Sequence, residues 1–509
     1  LDPRHNPVWR APISADAASD LLTFWRTQDA EGNLIHSFSD SDLDTRFLGD
    51  LYQDLSLHAK KKYALLQTPV FVEEFILDCT LSPAIEEFGL DGLKLIDPTC
   101  GSGHFLLGAF QRLLRQWQTA APAMDTRQRV QKALDSIHGV DLNPFAVAIA
   151  RFRLTVAALQ ASALSSLKDA PAFDYHLVVG DSLLYGHSGT QEDLLASNED
   201  FTYASEDITS EPHILERGRY HVVVGNPPYI TVKDRASNAA YRSAYSYCKG
   251  TYALTVPFMQ LFFELAVRGN ISIAAGFVGQ ITADSFMKRD FGRPLVEELL
   301  SGKDLASPVD LLQVIDTSGA HIPGHGIPTA ILIGRRRPPL GDHVLTVLGL
   351  KGEPSVPEDA SQGFVWSEIV QGIRSGPTFE GRFVSVRETS RRDLARHPWN
   401  LNGGQAAYLK DRLESVTGRL RSLVNRLGYS GQTNADDVFL APRHSLLRNR
   451  VEQSVIQDVY SGKSIRDFSG FPSIAALVPY SSSGELIALD QYPGLMRRLW
   501  PLRTVTWNR

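Results

Sequence analysis

Short apolar runs alternate with helical patterns through the middle of the chain, and this alternation constrains the fold more than any other feature. The runs are LKLIDP, SIHGVDL, YHLVVGD and HVVVGN, and helix-length patterns such as GHFLLGAFQRLLRQW lie between them. Strands that are buried on both faces form continuous apolar segments, and a helix between two of them returns the chain for parallel pairing. The sequence therefore predicts an α/β domain with a doubly wound mixed sheet over residues 60–337.

Segments of different composition and pattern flank this domain. Residues 1–59 are predicted to be helical and irregular, with Ser14 as the N-cap of a short helix. Residues 338–400 are rich in Pro, Gly and Ser and are interpreted as a connector with short strands. Residues 401–509 are predicted to be a helical spacer that leads into an α+β region. Because the chain begins with Leu1 and not with Met, we expect that it is part of a longer protein.

Composition and charge limit the classes of function. The chain has 509 residues and a formal net charge of −6, which disfavours nucleic-acid binding through bulk positive charge. Residues 401–509 nevertheless hold 14 Lys and Arg against 9 Asp and Glu. Three scattered cysteines suit a reducing compartment, and no uninterrupted apolar run approaches the roughly 18 residues of a membrane span. We expect a cytoplasmic protein without a membrane partner.

A glycine-rich turn, DPTCGSGHF, follows the first predicted strand and precedes a helix. A dinucleotide fingerprint would need a third glycine where this chain has Leu106, and no phosphate-binding G-x-x-x-x-G-K-[ST] loop occurs. Gly101 and Gly103 instead leave room for a ligand to lie against backbone N–H groups at the helix start. Asp97, beside the turn, could accept hydrogen bonds from an ammonium group. A purely structural glycine turn is the alternative.

Acidic residues follow the next two predicted strands. Asp141 has the position from which a carboxylate accepts both hydroxyls of a ribose, and Asp181 could accept from an exocyclic amine. Helix capping is the alternative for both, since Asn143-Pro144 starts a helix directly after Asp141. Combined with the glycine turn, the two acids indicate a nucleoside with an amino-acid tail, which is S-adenosylmethionine.

The stretch GNPPYI leaves a buried strand through two prolines and an aromatic residue. Pro227 and Pro228 have no N–H group, so they end the hydrogen-bond ladder and hold the backbone extended, with a carbonyl available to a ligand. Asn226 adds a side-chain carbonyl. Two acceptors on one amine would aim its lone pair at a methyl donor, while Tyr229 would stack on a planar base flipped out of a duplex.

These motifs, in this order, resemble the amino-group DNA methyltransferases that act on adenine N6. The resemblance implies a Rossmann-like methyltransferase fold that binds S-adenosylmethionine and double-stranded DNA, with residues 401–509 beginning a target-recognition domain. It also implies a Thr-Pro contact to the methionine end of the cofactor, which Thr68 and Pro69 would make in this chain, although Gln67 replaces the usual Tyr. The cofactor-binding residues that it implies are Thr68, Pro69, Asp97, Thr99, Gly101, Gly103, Asp141, Asp181 and Asn226, and the catalytic ones are Asn226, Pro227, Pro228 and Tyr229.

Longer stretches, including NPPYITVKDRASNAAYRSAY and DTSGAHIPGHGIPTAILIGRRRPP, are similar to the methyltransferase family of BREX phage-defence systems, particularly its type 2 form. The resemblance covers nearly the whole chain. It implies that the protein marks host DNA and that its partners include other BREX components, namely a phosphatase-like protein and large ATPases, with phage-encoded inhibitors as a further class.

Two other functions stay open at the level of sequence. The chain could be a BREX-associated DNA-binding subunit that binds S-adenosylmethionine and methylates only within a larger complex. It could also methylate RNA or a protein glutamine amide, because an Asn-Pro-Pro-Tyr motif serves those substrates as well.

Several other residues suggest chemistry that we consider less well supported. Cys100 is interpreted as a small turn residue and not a nucleophile, because no His and Asp pair accompanies it. His321 and His325, in HIPGHG, have metal-like spacing but no evident third ligand, so we expect this loop to line the base pocket and predict no metal site. Arg335–Arg337 and Lys60–Lys62 are interpreted as solvated faces, with phosphate contact as the alternative.

Overall fold

A computed structural model of the chain divides into two compact units, Leu1–Asp411 and Arg412–Arg509. The structure describes residues 12–36, 45, 47–49, 67–164, 166, 168, 170–185, 208–232, 234–401, 403, 409, 412–413, 415–416, 418, 420–425, 433, 435–460, 464–466, 469–472, 474–481 and 483–507. Lys60–Lys62, the later part of the segment 1–59 and most of the predicted helical spacer after residue 401 lie outside these residues.

The first unit contains a nine-stranded sheet in the order β3-β2-β1-β4-β5-β7-β6-β8-β9. Its strands are β1 Leu95–Asp97, β2 Ile137–Asp141, β3 His176–Val179, β4 Val222–Gly225, β5 Phe277–Ala283, β6 Asp310–Asp316, β7 Thr329–Arg335, β8 His343–Gly349 and β9 Val384–Ser390. Its helices are α1 Ala15–Arg26, α2 Val70–Phe88, α3 His104–Ala120, α4 Thr126–Asp135, α5 Pro144–Ala161, α6 Arg235–Ala244, α7 Thr255–Leu265, α8 Ser285–Lys288, α9 Phe364–Ser375 and α10 Arg391–Leu394. The predicted α/β fold with a mixed sheet is confirmed.

The strand order reverses beside β1, which is the topological switch point of the sheet. β1 pairs in parallel with β2 on one side and with β4 on the other, so that Leu95 is opposite both Ile137 and Val222. Chain connections leave in opposite directions from such a point, and a crevice opens at the carboxyl ends of the two central strands. The glycine turn after β1 and the Asn-Pro-Pro-Tyr segment after β4 therefore lie at the same edge.

The far half of the sheet contains antiparallel strands. β7 is antiparallel to both β5 and β6, which forces the β6–β7 loop, residues 317–328, to lie at the same carboxyl edge as the switch point. β8 continues the sheet in parallel with β6, and β9 pairs antiparallel with β8. These two strands come from residues 338–400, so the segment predicted as a connector with short strands contributes two strands to the main sheet.

The two faces of the sheet pack against different helices. Leu95, Val222 and Val224 contribute to a core with α2, α3 and α5. Ile96 and Val223, the alternate residues, contribute to a second core with α7. Because both faces are covered, β1 and β4 need apolar residues at successive positions, which explains Leu95-Ile96 in β1 and the run 222–224 in β4.

Helix α5 lies between β2 and β3. Among the residues that the structure describes, it is the one helix with the length and apolar composition of a candidate membrane span. Val147, Ala150 and Leu154 pack into the core of the sheet. This is the position of a crossover helix that connects two parallel strands.

Strand β5 begins later than the sequence predicts. The apolar run ISIAAGFVG is typical of a strand that begins at Ile271, but Ile271 is 84% exposed and β5 starts at Phe277. The Oδ1 atom of Asn270 accepts hydrogen bonds from the backbone N–H groups of Ser272 and Ile273 at 2.8 and 3.0 Å. An asparagine that binds the backbone two residues ahead forms an Asx turn, which competes with strand pairing.

The second unit has a small α+β structure, as predicted. A three-stranded antiparallel sheet, in the order β10-β14-β11, packs with short helices around a core that includes Leu446, Ala475 and Leu495. Its strands are β10 Leu440–Ala441, β11 Ile456–Val459, β12 Ile465–Arg466, β13 Ser469–Gly470 and β14 Ile474–Leu477, and β12 pairs with β13. Its helices are α11 Leu420–Leu423, α12 Asp436–Phe439, α13 Arg443–Arg448, α14 Pro493–Leu499 and α15 Arg503–Trp507.

Candidate active site

The carboxyl ends of β1 and β4 approach each other closely at Gly225. A Cβ atom added to Gly225 would lie 2.6 Å from Asp97 Oδ1 and 2.9 Å from both Phe262 Cζ and Thr99 Oγ1. Contacts below about 3.0 Å do not occur for real Cβ atoms, so this position requires glycine. The last residue of β4 therefore lies against the acidic end of β1, and Asn226 is the next residue in the chain.

Asp97 is a buried carboxylate, with 2% of its surface exposed. Its Oδ1 atom accepts hydrogen bonds from the backbone N–H of Thr99 at 2.9 Å and from the Thr99 hydroxyl at 3.1 Å. Burial raises the pKa of Asp97 to about 7, against the hydrogen bonds from Thr99, and the charge of Asp141 adds to the increase. A carboxyl group under this desolvation gains most from a cation placed next to it.

This raised pKa makes a prediction for stability. Between about pH 4 and pH 7 the folded protein keeps a proton on Asp97 that the unfolded chain releases, so this group's contribution to the free energy of unfolding falls as pH rises through that interval. We expect wild type to lose about 2–3 kcal/mol more stability than Asp97→Asn between pH 5 and pH 8. Urea unfolding of both proteins at the two pH values measures the difference, and equal losses in both would contradict it.

The glycine turn has the backbone geometry that only glycine adopts readily. Gly101 and Gly103 have φ angles of +52° and +83°. A Cβ on Gly103 would lie 2.9 Å from Ala150 Cβ, so Gly103 allows α5 to pack against the turn. A Cβ on Gly101 would meet nothing within 4 Å, so the turn faces open space there. The N-terminus of the 17-residue helix α3 follows immediately.

Asp141 joins the second strand to this turn. Its Oδ2 atom accepts from Gly101 N–H at 2.9 Å, and its Oδ1 atom accepts from Asn143 N–H at 2.8 Å. Burial raises the pKa of Asp141. The helix cap is not Asp141 but Asn143, whose Oδ1 atom accepts from Phe145 N–H at 3.1 Å. Each carboxylate oxygen of Asp141 keeps acceptor capacity for a ligand hydroxyl, because it has two lone-pair directions.

Asp181 makes the capping contacts that the sequence left open. Its Oδ1 atom accepts from the backbone N–H groups of Leu183 and Leu184 at 2.8 and 3.2 Å, while Oδ2 accepts from the Tyr241 hydroxyl at 3.2 Å. Burial raises the pKa of Asp181. The Ser182 hydroxyl donates to the Pro98 carbonyl at 2.6 Å, which ties the Asp181 loop to the turn after β1.

Thr68 and Pro69 lie at the start of α2. Thr68 is buried, and Pro69 is the N-cap residue. A Cβ added to Gly49 would lie 2.5 Å from Ser102 Oγ in the glycine turn and 2.7 Å from Gln67 Nε2. The segment that begins at Gln67 is thus within a few ångströms of the turn.

The Asn-Pro-Pro-Tyr segment forms a compact polar group with the β6–β7 loop. The Tyr229 hydroxyl donates to Asn226 Oδ1 at 2.6 Å, and Asn226 Nδ2 lies 3.4 Å from His325 Nε2. The Tyr229 and His325 rings are 5.9 Å apart between centroids, at 49°. Pro227 is buried and Pro228 is half-buried. His325, which we expected in a pocket-lining loop, contacts the predicted catalytic residue.

Three contacts of this site were not predicted from sequence. Tyr241 reaches Asp181 from α6, and Ser182 bridges two loops. Arg153, 1% exposed in α5, donates from Nη1 to the Ser102 carbonyl at 2.6 Å and so supports the glycine turn. Nothing in the local sequence marks these residues, because each contact joins segments far apart in the chain. The Pro-Gly before His325 did signal a turn.

The structure also bears on the possible nucleophile and on possible metal sites. Cys100 is buried, and burial holds the pKa of its thiol well above the usual range, as suits a packed turn residue. Within the part of the chain that the structure describes, no group of three or more His, Cys, Asp or Glu side chains could hold a metal ion.

The interpretation of Arg335–Arg337 as a solvated face is wrong. Arg335 is 7% exposed and pairs with Glu87 at 2.7 Å. Arg336 donates to the Ala266 carbonyl at 2.9 Å, and Arg337 pairs with Asp310 at 2.9 Å. Arg335 is the last residue of β7, and Arg336 and Arg337 follow it. Arg335 and Arg337 form ion pairs within the fold, and Arg336 donates to backbone carbonyls.

The residues present fit S-adenosylmethionine. Both hydrogen bonds to Asp97 fall on Oδ1, and within the described residues Oδ2 makes none, so Oδ2 can accept from an ammonium group. Gly101 faces open space at the start of α3, where the chain of a ligand can approach the backbone. Asp141, which binds Gly101 N–H, ends the neighbouring strand, so a ligand that follows the sheet edge away from the turn reaches its carboxylate.

Comparisons with known proteins show what the chain is similar to. Residues 135–315 match the family model described as Eco57I restriction-modification methylase. The chain is 48% identical, over all of its length, to the adenine-specific methyltransferase PglX of Streptomyces coelicolor, of which it spans 43%. It is also 28% identical, over 86% of its length, to the type II methyltransferase M.PaeR7I of Pseudomonas aeruginosa, of which it spans 66%. The chain thus spans less than two thirds of either relative.

Solved structures share the fold at low sequence identity. The type IIL restriction-modification enzyme MmeI in complex with DNA aligns over 90% of this chain and 56% of its own, with a TM-score of 0.54 and 12% identity. The DrdV–DNA complex aligns over 81% of this chain and 40% of its own, with a TM-score of 0.51 and 14% identity. These likenesses support the Rossmann-like methyltransferase fold.

Proposed function

Because the chain belongs to the PglX-type family of adenine-specific methyltransferases, we propose that it transfers a methyl group from S-adenosylmethionine to the N6 amine of adenine in double-stranded DNA. The observation that carries the proposal is the approach of two sites at Gly225. Asp97 and the glycine turn suit the cofactor, and Asn226 and Tyr229, which suit the target base, follow the adjacent strand end.

The acidic residues at the strand ends and the Thr-Pro pair each have a role on the cofactor-binding side of the site. Asp97 would accept from the ammonium group, with Thr99 holding its carboxylate in place, and Asp141 would accept from the ribose hydroxyls. Asp181 would face the exocyclic amine of the cofactor's adenine. Its Oδ2 atom would accept a hydrogen bond from that amine, either in place of the Tyr241 hydroxyl or in addition to it. Thr68 and Pro69 would contact the methionine end beside the turn.

The catalytic side orients a weak nucleophile. The Asn226 Oδ1 atom and the Pro227 carbonyl would accept the two hydrogens of the adenine N6 amine, which draws its lone pair out of ring conjugation. S-adenosylmethionine, when bound, supplies the methyl group on a sulfonium. Pro227 and Pro228 keep both acceptors at a fixed separation, and Tyr229 would stack on the flipped base. The nitrogen gains the methyl and gives up one hydrogen as a proton to water, so the amine ends neutral.

The test is transfer of labelled methyl groups by the full-length protein to duplex DNA, followed by digestion to nucleosides. We expect the label in N6-methyldeoxyadenosine. Label in cytosine, in RNA offered in competition, or in protein glutamine would contradict the proposal. A protein that binds the cofactor but transfers no methyl group until partner proteins are added would favour the alternative of a DNA-binding subunit that methylates only within a larger complex.

Tyr229 gives a separate prediction about the base pocket. Tyr229→Phe keeps the ring for stacking and removes the hydroxyl that occupies Asn226 Oδ1, so we expect transfer within about threefold of wild type. Tyr229→Ala removes the stacking face, worth about 1–3 kcal/mol per base, and should lower kcat/KM by about 10- to 100-fold. Steady-state kinetics on one duplex distinguish the two, and equal losses would assign the effect to the hydroxyl.

The wider setting is part of the same proposal. The resemblance to the BREX methyltransferase family supports a cytoplasmic role in which the protein marks host DNA beside other BREX components, and in which phage-encoded inhibitors act on it. Residues 412–509, with their own core, would begin the unit that recognises the target sequence. Modification-aware sequencing of host DNA with and without the gene tests the role in marking DNA.

A further inference from the structure

The β6–β7 loop, residues 317–328, brings a histidine to the catalytic segment. Since β7 runs antiparallel to β5 and β6, the loop must cross the carboxyl edge of the sheet, where β4 also ends. The Thr317 and Thr329 hydroxyls lie 2.8 Å apart at its base, and Ile322 is buried. The loop is therefore anchored at both ends and in the middle.

The backbone around His325 fixes its ring. His325 N–H donates to the Ile322 carbonyl at 3.2 Å, with Pro323 and Gly324 between them and a φ of +78° at Gly324. Pro followed by Gly at these positions is the residue pattern of a type II β-turn. The ring atom Nδ1 lies 3.1 Å from the Pro323 carbonyl, which can only accept, so Nδ1 carries the hydrogen. Nε2 of the neutral ring is then an acceptor.

The ring's tautomer determines which way the Asn226 amide points. Nε2 of His325, as an acceptor, requires the NH₂ group of Asn226, and Asn226 Nδ2 lies 3.4 Å from it. The Tyr229 hydroxyl donates to the other end of the amide, Oδ1, at 2.6 Å. Both neighbours thus favour the same orientation. Burial lowers the pKa of His325, which keeps the ring in the neutral form that accepts.

We propose that His325 is a positioning residue that holds the Asn226 amide with its carbonyl oxygen toward the substrate amine. This inference rests on the proposed function. A primary amide has two orientations of nearly equal shape, and the reversed one would present hydrogens to an amine that has hydrogens of its own. Accepting from the NH₂ group is what His325 contributes, and the Pro323 carbonyl makes it an acceptor.

The experiment compares side chains that keep or lose the acceptor. His325→Gln removes the ring but keeps an oxygen near the position of Nε2, whereas His325→Leu has similar volume and no acceptor. His325→Ala repeats the loss of the acceptor with a smaller side chain, in case the leucine variant fails to fold. Methyl transfer to duplex DNA is measured with the full-length proteins, together with S-adenosylmethionine affinity by calorimetry and Tm.

We expect His325→Leu and His325→Ala to lower kcat about tenfold, with cofactor affinity and KM for DNA within about twofold of wild type. We expect His325→Gln to stay within about threefold of wild type. Wild-type kcat in His325→Leu and His325→Ala would overturn the inference, as would a loss in His325→Gln as large as theirs. If wild type itself transfers no methyl to adenine, the proposed function fails, which is a different result.

Discussion

We expect Asn226→Ala to lower methyl transfer more than any other substitution in the site. Asn226 Oδ1 is the side-chain acceptor of the pair that orients the amine, and alanine removes it without adding volume. Removing one pre-organised group that acts on the reacting atoms costs about 10²–10³ in kcat in other enzymes. We expect a loss on the order of 10³, because the amine is a poor nucleophile without this acceptor.

The measurement is single-turnover methyl transfer at saturating DNA, with cofactor affinity determined separately. Asn226→Asp is the matched control, because it has a similar size and keeps acceptor oxygens. It should retain more activity than Asn226→Ala, although it cannot donate to His325 Nε2 as the amide does. Full-rate transfer by Asn226→Ala would remove this residue from the mechanism and with it the proposed role of the segment.

The order and type of the central elements follow from the sequence because local and global requirements agree there. β1, β2, β3 and β4 are short strands made largely of buried residues, and helices return the chain for parallel pairing between β1 and β2 and between β2 and β3. The sequence predicts an element less well where a single side chain determines where that element begins. Asn270 forms an Asx turn inside an apolar run and moves the start of β5 to Phe277.

At residues 338–400 the sequence predicts less of the structure, for a different reason. Pro and Gly in this segment correctly indicate loops, but β8 and β9 join the sheet at its far edge, and that pairing depends on β6, a neighbour far away in sequence. Likewise, Arg335–Arg337 look like an exposed cluster until the fold places Glu87 and Asp310 beside them.

Some residues of the candidate site can likewise be predicted from the sequence, and others cannot. Strand ends can be found from sequence, and a parallel sheet brings them to one edge, so Asp97, Asp141 and Asn226 could be grouped in advance. Their partners could not. Tyr241 and His325 reach the site from segments whose position depends on tertiary packing, and the antiparallel direction of β7 is what carries His325 there.

The second large effect is expected at Gly225, which makes no hydrogen bond to a ligand in the proposed mechanism. In Gly225→Ala the new methyl group would lie 2.6 Å from Asp97 Oδ1 and 2.9 Å from Phe262 Cζ. Neither neighbour can move far, because Asp97 is held by Thr99 and Phe262 is fully buried. The carboxylate and the end of β4 must therefore separate, which displaces the ammonium-binding group and Asn226 relative to each other.

We expect Gly225→Ala to lower kcat/KM by about 100-fold or more, because small misplacements of reacting groups cost about that much. It should also weaken S-adenosylmethionine binding and reduce the free energy of unfolding by about 1–3 kcal/mol, as overpacking does. Gly341→Ala is the control, since its Cβ would meet nothing within 4 Å. A Gly225→Ala protein with normal cofactor affinity and normal transfer would mean that the ends of β1 and β4 need not touch for catalysis, and the shared edge would lose its role as the link between the two halves of the site.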